Sequence, residues 1–218
     1  MRVLRKPLAE RLADQLDAMD AREVRRDWKA IARLLRHRST FVRGAAARAL
    51  EWGRVGASAL TKALAQESND LVITDLADPL AAVRENRILP RLRQIARSHR
   101  SSLARTYAVL AIAKIQGKDA IPFLLGRRKV ERSPRALAAV AMALFQLGLK
   151  DALPDLLRRL SSRDYHVRCS IANMLADARP RRRRATILAA LKRSLEVEPT
   201  VAARSSLERA VADLSASA

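Results

Sequence analysis

One register recurs six times along this chain of 218 residues, and it limits the fold more than any other feature. Arg43, Thr74, Arg105, Leu137, Arg168 and Arg204 follow one another at intervals of 31, 31, 32, 31 and 36 residues. The residue before each is aliphatic: Val42, Ile73, Ala104, Ala136, Val167 and Ala203. Three residues after come Ala46, Ala77, Ala108, Val140, Ile171 and Leu207, and seven after come Leu50, Ala81, Ile112, Leu144, Leu175 and Val211. Those offsets share one helix face. Four residues before the ladder stand Ser39, Asp70, Ser101, Ser133, Asp164 and Thr200, all of them N-capping residue types. A chain that repeats one short amphipathic unit has to stack its units to bury that face.

A preceding helix in each unit supplies the other half of the buried layer. The candidates are residues 28–35, 57–64, 88–96, 119–125, 151–160 and 185–195. KDAIPFLL at 118–125 and KDALPDLL at 150–157 match at an offset of 32, each with a proline where a first helical turn has no use for its N–H. Gly and Pro number only 6 and 8, which favours helix throughout. Pro79 falls inside the second helix of its unit, so that helix is expected to be short or kinked. Residues 7–19 carry Leu8, Leu12 and Leu16 on one side and read as a capping helix outside the repeat.

Paired helices near a 31-residue period, together with D-Y-H-V-R at 164–168 before an Ala-rich helix, resemble HEAT-like repeats of the PBS-lyase type. The resemblance covers roughly residues 27–214. It implies an all-α, right-handed α-solenoid of about six helical hairpins, with the second helices lining a concave side. Residues 1–26 would then be an N-terminal cap and residues 27–218 a single repeat domain. It also implies that an Asp and an Arg within a repeat, such as Asp164 and Arg168, tie neighbouring turns together. The resemblance says little about activity.

Lys and Arg total 43 against 22 Asp and Glu, a formal net charge of +21, and 49% of residues are hydrophobic. That apolar share is too large for a disordered basic tail, and no run is long and uncharged enough to span a membrane. The one cysteine, Cys169, has no internal disulfide partner. The first residues lack the apolar run of a secretory signal, so a cytoplasmic address is expected. Residues 86–135 hold 13 basic side chains and only Asp119 and Glu131 as acids. His37, His99, His166 and Cys169 are not spaced to converge on a metal, no glycine-rich phosphate loop exists, and no carboxylate pair stands out. The expectation is therefore a non-enzymatic protein with no catalytic residues, metal or cofactor.

The face opposite the buried one falls one, five and eight residues after the ladder positions. It assigns Thr106, Leu110, Ala113, Met142, Phe145 and Asn173 to the floor of the concave groove, with Arg48 and Arg209 towards its ends. Arg97, Arg100, Arg127, Arg128, Lys129 and Arg132 would form a basic rim at the turns between paired helices, and Arg179 with Arg181 to Arg184 another cluster at the opposite edge. The favoured expectation is a scaffold that holds an acidic or amphipathic protein partner on this floor. The alternative is sequence-independent binding of a DNA or RNA backbone, for which the net charge argues. Some HEAT-like proteins are DNA glycosylases acting on alkylated bases, but no catalytic set can be matched here residue by residue. Docking on an anionic membrane lacks a basic amphipathic helix rich in aromatics.

Overall fold

The computed structural model describes residues 6–178, 180 and 183–216. Among them every regular element is helical. The chain divides into two compact units, Met1–Gln116 and Gly117–Ala218.

In the first unit the helices are α1 (Leu8–Ala18), α2 (Ala21–Leu34), α3 (Thr40–Gly53), α4 (Ala57–Gln66), α5 (Asp70–Ala82), α6 (Leu89–Ser98) and α7 (Ser102–Gln116). Helix α2 packs on α3, α4 on α5 and α6 on α7, while α1, α3, α5 and α7 pack one on the next. The second unit holds α8 (Ile121–Val130), α9 (Pro134–Gln146), α10 (Ala152–Arg158), α11 (Tyr165–Ala178), α12 (Arg184–Glu196) and α13 (Val201–Ala216). There α8 and α10 pack on α9, α12 packs on α13, and α9, α11 and α13 pack in series.

The repeated register accounts for this layering. The second helix of each pair starts at Thr40, Asp70, Ser102, Pro134, Tyr165 and Val201, in each case at or within one residue of the expected cap. All residues one before and three after the ladder positions are buried, and of those seven after only Val211 is half-buried. Burying each valine, leucine or isoleucine of the stripe contributes about 1.5–3 kcal/mol, so the repeated stripe drives the packing of helix on helix.

Three local expectations change. Helix α2 begins at Ala21 rather than Trp28, which puts the expected boundary at residue 26 inside a helix. Its start is fixed by a capping box: Asp20 accepts from the Arg22 and Glu23 amides at 2.7 and 2.9 Å, and Glu23 accepts from the Asp20 amide at 2.9 Å. Helix α5 is not shortened, because Pro79 enters in its last turn and the helix continues to Ala82. Asp119 lies in a 3-10 turn, Gly117–Ala120, and Ala120 is the residue that precedes α8.

Gly53 marks the closest approach of α2 and α3. A Cβ there would lie 2.6 Å from Val24 Cγ1 and 3.1 Å from Val24 Cβ, and Val24 is fully buried and stiff at χ1. We expect Gly53→Ala to destabilise the protein by about 1–3 kcal/mol through overpacking. Gly126→Ala, on α8 with open space around its Cβ, should instead stabilise by roughly 0.5–1 kcal/mol. Urea denaturation of both variants measures the pair.

Candidate functional site

The ladder arginines are building elements. Arg43 donates through Nη1 to the carbonyls of His37 and Arg38, at 2.9 and 3.2 Å. Arg105 reaches His99 and Arg100 in the same way, Arg168 reaches Ser162 and Arg163, and Arg204 reaches Glu198. The recurring acceptor is the carbonyl six residues earlier, so each arginine fastens the turn that leads into its own helix.

The residue at or next to that acceptor position has a second task. His37, Glu67, His99, Glu131, Ser162 and Glu198 each accept the amide N–H two residues ahead with their side chains, in the turn before the second helix. At Arg43 and Arg168 the ladder arginine also grips such a glutamate towards the next repeat. Arg43 pairs with Glu67 through two hydrogen bonds of 2.7 and 3.1 Å, and Arg168 with Glu198 through two of 2.5 Å. The Glu198 side chain is 1% exposed. The hydrogen bonds from Arg168, helped by the Thr200 amide and opposed by burial, pull its carboxyl down to about 2. Neighbouring repeats are thus joined by Arg and Glu. Asp164, expected to pair with Arg168, instead accepts from the His166 amide at the start of α11.

Three of the six residues expected on the floor are covered. Thr106, Ala113 and Met142 are buried, at 4%, 6% and 0% exposure, and Met142 sits in the core of the second unit beside Leu153, Leu156 and Ile171. Residues of α10 and α11 share the core with Met142, so the buried face of α9 is wider than the repeat pattern alone implies. Leu110 and Phe145 are half-buried. Asn173 is also half-buried and accepts from Arg209 at 3.0 Å, with Asp177 at 3.4 Å from the same guanidinium.

The rim changes as well. Arg127 is buried and pairs with Glu131 at 2.6 Å, and Arg127, Arg128 and Lys129 occupy the last turn of α8 rather than a loop, where cations offset the helix dipole. Arg48 is held between Asp17 and Asp75 at 2.8 and 2.9 Å, so it carries no spare charge for a ligand. Burial pushes the Asp75 carboxyl up, and Arg48 only partly offsets this. Arg97, Arg100, Arg128, Lys129 and Arg132 are exposed. Arg179, Arg181 and Arg182 lie outside the described residues.

A denser cationic site takes in the turn at Arg36 and Arg38. A groove of about 720 Å³ runs between α2, α4 and the turns that follow them. It is lined by Lys29, Arg33, Arg36, Arg38 and Lys62, all exposed. Its carboxylate, Glu67, is already neutralised by Arg43. Burial opposes ionisation of Glu67, yet the bonds from Arg43 and from the Asn69 and Ser68 amides outweigh it and keep the carboxyl below its ordinary range. The groove therefore carries five uncompensated positive charges. Arg22 extends the row along α2, where i, i+4 spacing sets residues roughly 6 Å apart along the axis, while Arg26 is paired with Asp27 at 2.9 Å.

Among the described residues no three His, Cys, Asp or Glu side chains gather as a metal-ligand set. Cys169 is half-buried with a free thiol. No helix among the described residues is long and apolar enough to cross a membrane. Thr106 buries its hydroxyl with no hydrogen-bond partner. Desolvation without compensation is unfavourable, so Thr106→Val should raise stability by about 1 kcal/mol, measured by urea denaturation. Comparison with known proteins finds no family model that matches the chain and no curated protein that matches it.

Proposed function

We propose that this protein is a non-enzymatic, HEAT-like repeat module that binds the sugar-phosphate backbone of nucleic acid without reading its sequence. Each unit is taken as a run of three hairpins of that class. The observation that carries the reading is the groove between α2 and α4, where five exposed cations surround one carboxylate that its own arginine has already neutralised. Such a site attracts a chain of closely spaced negative charges and offers no pattern of donors and acceptors for individual bases. The net charge of +21 adds long-range attraction. A protein partner on an apolar floor is the weaker reading, since Thr106, Ala113 and Met142 are covered.

Fluorescence anisotropy with the full chain and a labelled 20-base-pair duplex of mixed sequence tests the proposal. Five phosphate contacts predict that log K falls with log salt at a slope of about −4.5. Duplexes of different sequence should bind within a few-fold of each other. Binding of polyglutamate as tight as that of the duplex at 0.15 M salt would favour an acidic protein as the partner and overturn this reading.

A further inference from the structure

The second unit contains an apolar cleft of about 820 Å³ that the basic groove does not explain. Its walls are Phe145, Leu149, Leu153, Leu157 and Ala178, brought together from the end of α9, from the turn after it, from α10 and from the end of α11. Three of these leucine and phenylalanine side chains, Phe145, Leu149 and Leu157, are only half-buried, so apolar surface faces the cleft. Among the described residues, Lys150 and Arg183 are the charged residues on its lining, both exposed, and no carboxylate joins them. Arg183 holds a left-handed backbone at φ 59°, a conformation that non-glycine residues adopt rarely and that clusters at ligand clamps.

We propose that this cleft binds a small amphipathic anion, an acyl chain of fatty-acid type with one carboxylate, the chain lying on the leucine and phenylalanine walls and the carboxylate meeting Lys150 and Arg183. The volume falls in the range of small-molecule sites, and an apolar lining with a few convergent polar groups is their usual composition. Charge complementarity selects an anion over a neutral or cationic amphiphile. Phe145, Leu153, Leu157 and Ala178 stand on helices whose backbone groups are already paired, and the lining contains no strand among the described residues, so no strand edge is offered to an extended peptide.

Isothermal titration of the full chain with dodecanoate, dodecanol and dodecyltrimethylammonium tests this. Dodecanoate should bind with one-to-one stoichiometry and at least tenfold more tightly than dodecanol, and the cation should bind more weakly still. Lys150→Glu with Arg183→Glu should cost dodecanoate tenfold or more and leave dodecanol within twofold. Ala178→Trp, which fills the cleft, should abolish both, whereas Lys192→Glu, an exposed charge on α12 outside the lining, should change neither. Circular dichroism confirms that each variant is folded. Equal affinity for dodecanoate and dodecanol, binding that Ala178→Trp leaves intact, or displacement of dodecanoate by an acidic amphipathic peptide at equal concentration would overturn the proposal.

Discussion

Glu198→Ala is expected to destabilise the protein by about 3–5 kcal/mol, because it leaves the Arg168 guanidinium in a buried site without its counter-charge. Arg168 is 9% exposed, and its remaining hydrogen-bond partners are the neutral Ser162 and Arg163 carbonyls and Thr200 hydroxyl, with Asp164 supplying only a weaker attraction. Replacing both partners, Arg168→Met with Glu198→Met, removes the stranded charge and should cost much less than the single change. The same pair sets a pH dependence. Glu198 has its folded pKa at about 2 against 4.5 for the ordinary carboxyl, so between those values the unfolded chain binds the proton and the folded chain does not. Stability from this pair is therefore complete above about pH 4.5 and is lost as pH falls towards 2. The stability gap between the parent and Glu198→Gln, followed by urea denaturation from pH 7 to pH 2.5, should narrow over that window. A gap that stays constant to pH 2.5 would show that the ion pair contributes nothing specific to its charge.

Much of the helical register was legible in the sequence because burial in a stacked repeat obeys one period. Val42, Ile73, Ala104 and their equivalents sit in the core as their spacing requires. What the period does not encode is how much of each second helix the adjoining layers cover. That angular width depends on side-chain size at the contact: alanines at 138, 141 and 143 let helices come close and shut Met142 inside. The glutamate partners of the ladder had a signal that went unused. Glu67, Glu131 and Glu198 each stand three residues before the first residue of a second helix, the position that His37 and His99 take in the intervening turns. The basic face of α2 was also readable. Asp20 and Glu23 spell a capping box, and Val24, Trp28, Ile31 and Leu35 mark one face, which leaves Arg22, Arg26, Lys29 and Arg33 on the other. Lys62 could not be assigned to the same groove from sequence, because only the packing of the two hairpins brings α4 beside α2. Arg48 shows the reverse limit: its charge is plain in the sequence, and its neutralisation by Asp17 and Asp75 depends on three helices meeting.

Neutralising the groove with Lys29→Gln, Arg33→Gln, Arg36→Gln and Lys62→Gln together is expected to weaken duplex binding on the order of 10³-fold at 0.1 M salt. It should also flatten the log K against log salt slope by about 3.6, since each phosphate contact contributes about 0.9 to that slope. All four side chains are exposed, and none has an ion pair among the described residues, so their loss should leave the fold within about 0.5 kcal/mol of the parent. A second quadruple variant decides between local and global charge. Arg128→Gln, Lys129→Gln, Arg132→Gln and Lys192→Gln remove the same four charges from exposed positions in the second unit and lower the net charge equally. If binding needs a built site, this variant loses far less than the groove variant, because none of its four charges lines the groove. Equal losses for the two would mean that nucleic acid responds only to overall charge, and the groove would have no special role. A larger loss for the second variant would move the contact to the end of α8, where Arg128 and Lys129 project beside the buried Arg127 and Glu131 pair.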